Sequence, residues 1–272
     1  MPTYLDKDTT VGLLRHQYAA LSSLGDGLTD AQWAAPTCLP GWTVHDVFGH
    51  IIGTESMLTG QAPPDVDITH LGPMRNPVAE ANEVWVESVR TLPPSELLAR
   101  FGDVTGRRLE ALEALSQADF DAPSWTPAAK DETYGRFMRI RHYDCFMHEH
   151  DVRAAVGAPP RPDVADLDSS LDEVATGLGY IVGRRAGLPD GSRVRIDLSG
   201  PAARTFLVAV DGRASVVEGL DGPETVGVAM PAPLFLRLTG GRDDGPGSAD
   251  EVVLTGDRAL GEQLVANLAF TI

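Results

Sequence analysis

The sequence predicts a two-domain α+β protein: a helical bundle over residues 1–162 and a small α+β domain over residues 163–272. Three observations carry this. The first 157 residues have helical apolar periodicity and no strand-like alternation. The stretch GAPPRPD, residues 157–163, has the prolines and charges of a linker. Beyond it, apolar residues alternate with a period of two in several short runs.

In the first half, one helix spans about residues 9–28. A second follows Thr43, whose hydroxyl is placed to cap it, with Asp46 at the third helical position to cover exposed amides. A third covers about 78–91, and a fourth starts after Pro93-Pro94 and runs to about 115. A fifth covers about 137–156. The Gly/Pro-rich pieces PTCLPGW and GQAPPD separate the early helices, as breakers do. Such helices on short and medium loops pack as a bundle.

After the linker, Leu167, Leu171, Val174, Leu178 and Ile181 form one helical stripe. VRIDLSG places Val194, Ile196 and Leu198 on one side of a strand; TFLVAVDG does the same with Phe206, Val208 and Val210. Asp211-Gly212 is a hairpin turn signal. VGVAM and EVVLTG read as further strands, PAPLFLRL and DRALGEQLVANL as helices. A largely antiparallel sheet follows from this order.

Bulk properties exclude several function classes. The net charge of −17 disfavours nucleic acid and anionic membrane surfaces as partners. Two cysteines, Cys38 and Cys145, do not make a disulfide framework. The N-terminus lacks a signal-peptide pattern, and no apolar stretch reaches the length of a membrane span. A soluble cytoplasmic protein, monomeric or a small homo-oligomer, is the expectation.

The chemistry concentrates in DCFMHEHDVR, residues 144–153. At 100° per residue, Phe137, Ile140, Val152 and Ala155 share one face of the fifth helix. Asp144 and His148 fall in the middle of that stripe. His142, Glu149, His150 and Arg153 fall on the other side; His142 and His150 are expected at the surface, and Arg141 and Arg153 in surface or interdomain salt bridges. A carboxylate on a buried face needs a partner. The i, i+4 spacing lets Asp144 and His148 bind one ion from one helix. The same pair equally fits a hydrogen-bonded structural role. Two ligands rarely suffice, and His50 in GWTVHDVFGHIIGTE is the best third. It borders the apolar stripe of Val47, Ile51 and Leu58, beside Gly49 and Gly53, which leave room for a ligand or another backbone. His45 faces away, toward solvent. No HExxH, GxSxG, P-loop or GxGxxG motif is present.

LPGWTVHDVFGH, followed about 90 residues later by RIRHYDCFMHEHDVRAAVG, resembles the mycothiol-dependent maleylpyruvate isomerase family of the DinB-like metalloenzyme superfamily of actinobacteria. The late pattern LFLRLTGGR…VVLTGDRALGEQLVANLAF also fits. The resemblance implies a DinB-like four-helix bundle followed by a domain similar to sterol-carrier-protein domains. It implies a divalent metal held by His50, Asp144 and His148; some family members carry glutamate where this chain has Asp144. Two histidines and a carboxylate suit zinc, and also nickel, iron or manganese. The implied cosubstrate is the small thiol mycothiol. A family arginine from the C-terminal domain is implied to hold the acidic substrate; the GGR turn makes Arg242 the candidate, with Arg237 behind it. The expected enzyme is a metal-dependent mycothiol S-transferase or isomerase acting on a small electrophile in a cleft between the domains. Its rivals are a metal-dependent hydrolase activating water and a non-enzymatic small-molecule binder.

Overall fold

The computed structural model describes residues 2–161, 163–242 and 248–271. It resolves into two compact units, Met1–Arg161 and Pro162–Ile272. The first unit is helical. In chain order it contains α1 (Lys7–Asp26), a short α2 (Asp30–Trp33), α3 (Val44–Leu58), α4 (Pro77–Val89) and α5 (Pro94–Glu113). A short α6 (Gln117–Phe120) and a two-residue ribbon of β1 (Pro123–Ser124) and β2 (Glu132–Thr133) then lead into α7 (Tyr134–Ala155). Helices α1, α3, α5 and α7 form the bundle: α1 packs on α5 and α7, and α3 packs on α5 and α7. Its core is built from Leu14, Leu21, Phe48, Ile51, Ile52, Leu97, Phe101 and Leu112, all fully buried.

The local signals explain the starts of these helices. Thr43 and Asp46 form a reciprocal capping box at the head of α3. Asp6, Asn76 and Thr133 cap α1, α4 and α7 through their side-chain oxygens. Pro94 opens α5, where its missing N–H costs nothing.

Helix α4 lies against α3, and the two glycines of α3 set how closely it approaches. A Cβ on Gly49 would stand 2.9 Å from Val89 Cγ2, and one on Gly53 only 2.3 Å from Trp85 Cβ. The glycines therefore make room for another helix. Gly53→Ala should push α4 away and lower stability by about 1–3 kcal/mol, the usual cost of overpacking. Chemical denaturation would check this, and an unchanged midpoint would show that α4 shifts freely.

The second unit begins with α8 (Val164–Tyr180), which runs into a π-turn over Ile181–Arg185. Then follow β3 (Arg193–Ser199), β4 (Arg204–Asp211), β5 (Arg213–Val216), β6 (Val226–Pro231), α9 (Ala232–Thr239), β7 (Val253–Gly256) and α10 (Arg258–Val265). The strands make one sheet in the order β5-β4-β3-β6-β7. Every pair is antiparallel except β3 with β6, which is parallel. Val194, Ile196, Leu198, Phe206, Val208 and Val210 all point into the core, as their alternation predicts. Gly212, at the β4–β5 turn, has φ +60°. β5 escapes the pattern because Ala214 is its one buried residue and its larger apolar residue, Val216, is exposed. The fold is thus a helical N-terminal region followed by an α+β domain. Among the described residues, no helix is long and apolar enough to cross a membrane.

One expectation fails, and its failure matters for the site. Helix α7 does not have a solvent side of the kind the wheel assigns to it. Arg141, His142 and Glu149 are buried, His142 completely, while His150 and Arg153 are half-buried. Glu149 is matched by Arg153, Arg161 and Gln17, and Arg141 by Glu55 and Asp144. Charge pairing inside the bundle makes burial of these residues tolerable. A wheel that scores polarity alone reads them as exposed. His45 likewise is half-buried, and its Nε2 meets the carbonyl of Leu92 at 2.9 Å.

Candidate metal centre

His50 comes from α3, Asp144 and His148 from α7, and the packing of these two helices brings the three together. One ligand atom from each lies within 4.8 Å of the others. His50 Nε2 is 3.3 Å from Asp144 Oδ2, and His148 Nε2 is 3.6 Å from Asp144 Oδ1. Metal bonds of about 2.0–2.2 Å in tetrahedral arrangement separate neighbouring ligand atoms by roughly 3.3–3.6 Å. The spacing thus suits an ion held among these atoms. Both histidines are almost entirely buried, whereas the Asp144 side chain is 32% exposed. The site therefore has an open side.

The surroundings fit a metal as well. His148 Nδ1 lies 3.2 Å from Oδ2 of Asp151, which is completely buried. A carboxylate behind the imidazole fixes the tautomer that leaves Nε2 free to ligate. His50 Nδ1 is buried with no hydrogen-bond partner among the described residues. Burial pushes the His50 imidazolium down, outweighing the attraction of Asp144, so the ring favours its neutral, ligating form. Burial works to raise the Asp144 carboxyl, but Arg141, His148 and His50 together hold it well below the usual carboxylate range. Neutral imidazoles and an ionised carboxylate are the forms a metal binds.

Behind Asp144 runs a chain of buried charges. Arg141 donates through Nη1 to Asp144 Oδ2 at 2.7 Å, and through Nε and Nη2 to Glu55 Oε1 at 3.0 and 2.9 Å. The other oxygen of Glu55 pairs with Arg108 Nε at 3.2 Å. Helices α3, α5 and α7 are thereby tied at the level of the site. Cys145, beside Arg141, is buried in the apolar core, which pushes its thiol well up. It packs as a small hydrophobe in that core.

The three metal candidates of the sequence thus meet. Arg242 belongs to the second unit, where it follows α9 in a turn: its N–H donates to the Arg237 carbonyl at 2.9 Å. Its guanidinium donates to the carbonyl of Gly240, and Gly241 takes the positive φ, +76°, that the turn requires. Sequence reasoning missed Asp151, Glu55, Arg108 and Trp42. Asp151 had a usable signal, since i+3 from His148 lies on the same side of the helix. Glu55 had only its place one helical turn beyond Ile51, on the buried face of α3.

Fold and site together define a class: a helical-bundle protein with a two-histidine, one-carboxylate centre, followed by a small α+β domain. The chain belongs to the mycothiol-dependent maleylpyruvate isomerase family. The family's mycothiol maleylpyruvate isomerase N-terminal domain matches residues 14–153, and its C-terminal domain matches residues 168–263. The crystal structure of the mycothiol-dependent maleylpyruvate isomerase is similar over 92% of this chain and 93% of that one, with TM-score 0.61 and 18% identity. A histidine-to-alanine mutant of that enzyme is similar over the same shares, with TM-score 0.59 and 17% identity. At such identity the likeness shows the fold. No curated protein sequence matches the chain significantly.

Proposed function

We propose that this protein is a divalent-metal-dependent, mycothiol-using enzyme, an isomerase or S-transferase acting on a small, electrophilic, anionic substrate. The observation that carries the proposal is the convergence of His50, Asp144 and His148 on one half-open point in a chain of this family. Zinc is the first candidate for the ion, with nickel, iron and manganese compatible with the same donors.

A divalent cation held there would keep a coordinated thiol as its thiolate, the nucleophilic form, at neutral pH. The residues around it supply the rest. Asp151 holds His148 in one tautomer. Arg141 takes up part of the negative charge of Asp144 and fixes the carboxylate in place. The exposed side of Asp144 leaves room for thiol and substrate to enter. A thiolate that adds to an activated double bond turns it into a single bond. Rotation and departure of the same thiolate then give the isomer, with the thiol recovered. In a transferase, the thiolate instead displaces a leaving group or opens a strained ring and stays attached.

Mycothiol should give the cobalt-substituted protein a sulfur-to-metal charge-transfer band. An unchanged spectrum at saturating mycothiol would reject the thiol and leave water activation as the reading. Turnover of maleylpyruvate with and without mycothiol tests the activity itself.

Arg242 is proposed as the anchor for the carboxylate of the substrate. A charge-assisted arginine–carboxylate contact contributes about 1.5–3 kcal/mol. Arg242→Ala should therefore keep metal and fold but lower kcat/KM at least about tenfold. Arg153→Ala, whose partner is Glu149, should change it far less. Wild-type kcat/KM in the Arg242 variant would remove it from the mechanism and make Arg237 the next residue to test.

A further inference from the structure

We infer that Trp42 is a positioning residue of the metal centre: its indole forms a wall against both histidine ligands, and Glu83 holds it there. The inference rests on the metal reading proposed above.

Three rings meet at this point. The Trp42 ring lies 5.2 Å from His50 and 6.2 Å from His148, tilted 38° and 39° to them, and the two imidazoles lie 4.9 Å apart. The indole adjoins both ligand rings and is itself tied down. Its Nε1 donates to Glu83 Oε1 at 2.7 Å. Arg90 reaches the other oxygen of Glu83 at 3.6 Å and Asp46 Oδ2 at the same distance. Asp46 belongs to the capping box that starts the helix carrying His50. Ligand helix, indole and anchor therefore share one network.

The backbone of Trp42 is fixed as well. Its N–H donates to Leu39, and its carbonyl accepts from both the N–H and the hydroxyl of Thr37. The preceding residue, Gly41, has φ +81°, a conformation that needs glycine. Glu83 stands on α4, and Gly49 and Gly53 let that helix lie close on α3. The PGW turn and the two helix glycines thus act on the same object.

The physical effect is twofold. A ring packed on two imidazoles restricts their rotation before the metal arrives, so less freedom is lost on binding. Imidazoles that ligate a cation also become more positive, and the face of an indole is a favourable neighbour for positive charge. Loss of an outer-shell partner typically weakens metal binding 10–100-fold.

The test is titration with Co²⁺ in a metal buffer, read by absorption, with circular dichroism as the check of folding. Trp42→Ala should bind Co²⁺ at least about tenfold more weakly and with a shifted visible spectrum. Trp42→Phe, which keeps an aromatic wall, should recover most of the affinity. Glu83→Leu, which keeps the indole but unties it, should weaken binding by at least about threefold. If Trp42→Ala binds within twofold of the parent, or Trp42→Phe loses as much as Trp42→Ala, the inference is overturned. Should Trp42→Ala fail to fold, Glu83→Leu decides: affinity within twofold of the parent overturns it. A parent protein that binds no Co²⁺ rejects the metal centre itself, a separate outcome.

Discussion

Replacing His148 by alanine should leave a folded protein that has lost its metal. Three protein ligands with an open position form a workable catalytic site, and two rarely hold an ion. On the metal reading His148 is a direct ligand, and its Nδ1 also meets Asp151, a completely buried carboxylate. Its removal should therefore cost more than the roughly hundredfold that losing an outer-shell partner can cost. After dialysis, metal measured by elemental analysis should fall to a trace of the parent's content. His50→Ala and Asp144→Ala should behave alike. The controls are His142→Ala and His150→Ala. The first is about 120° round the helix from His148, and the second bonds the carbonyl of Phe146 through Nδ1. Both should keep their metal. Full metal content in His148→Ala would refute the centre and return the Asp144/His148 pair to a structural role.

The second large effect is expected at Glu55. Its carboxylate is 1% exposed and lies between two buried guanidiniums, those of Arg141 and Arg108. Glu55→Ala would leave both cations facing each other without their shared anion. Breaking a buried ion pair from one side costs about 3–5 kcal/mol. With a urea slope of about 1–3 kcal/mol/M, the midpoint should fall by one to several molar. The tryptophans report on the right unit, because Trp33, Trp42, Trp85 and Trp125 all lie in the first one. A shift below about 0.3 M would mean that water reaches this chain of charges and screens it. Metal affinity should fall in the same variant, since Arg141 loses the partner that holds it against Asp144.

Much of this protein is legible in one dimension. The capping residues, the proline starts, the apolar stripes and the period-two runs are local features, and they mark the long helices and most strands of the larger sheet within a few residues of their ends. The 90-odd residues between His50 and Asp144 carry no sign that the two meet. Only the pairing of the two motifs in a family resemblance, or the packing of α3 on α7, puts them together. The helical wheel placed Asp144 and His148 on one stripe of α7, because that stripe depends only on 3.6 residues per turn.

What needed the tertiary structure was everything that depends on a partner far away in the chain. His142 reads as a surface residue, and Arg141 as part of a surface or interdomain salt bridge, because polarity alone says so. Arg141 is buried because Glu55 from another helix neutralises it. Gly49 and Gly53 read as room for a ligand or another backbone, and the fold decides for the second: α4 fills that room through Trp85 and Val89. Trp42 reads as part of a turn, but the fold stands it against two histidines. Sequence determines periodicity, caps and turns because each is settled within about one turn of backbone. The environment of a charge is settled by whatever the fold brings within a few ångströms of it, and in a low-dielectric interior that neighbour decides whether burial is costly or stabilising.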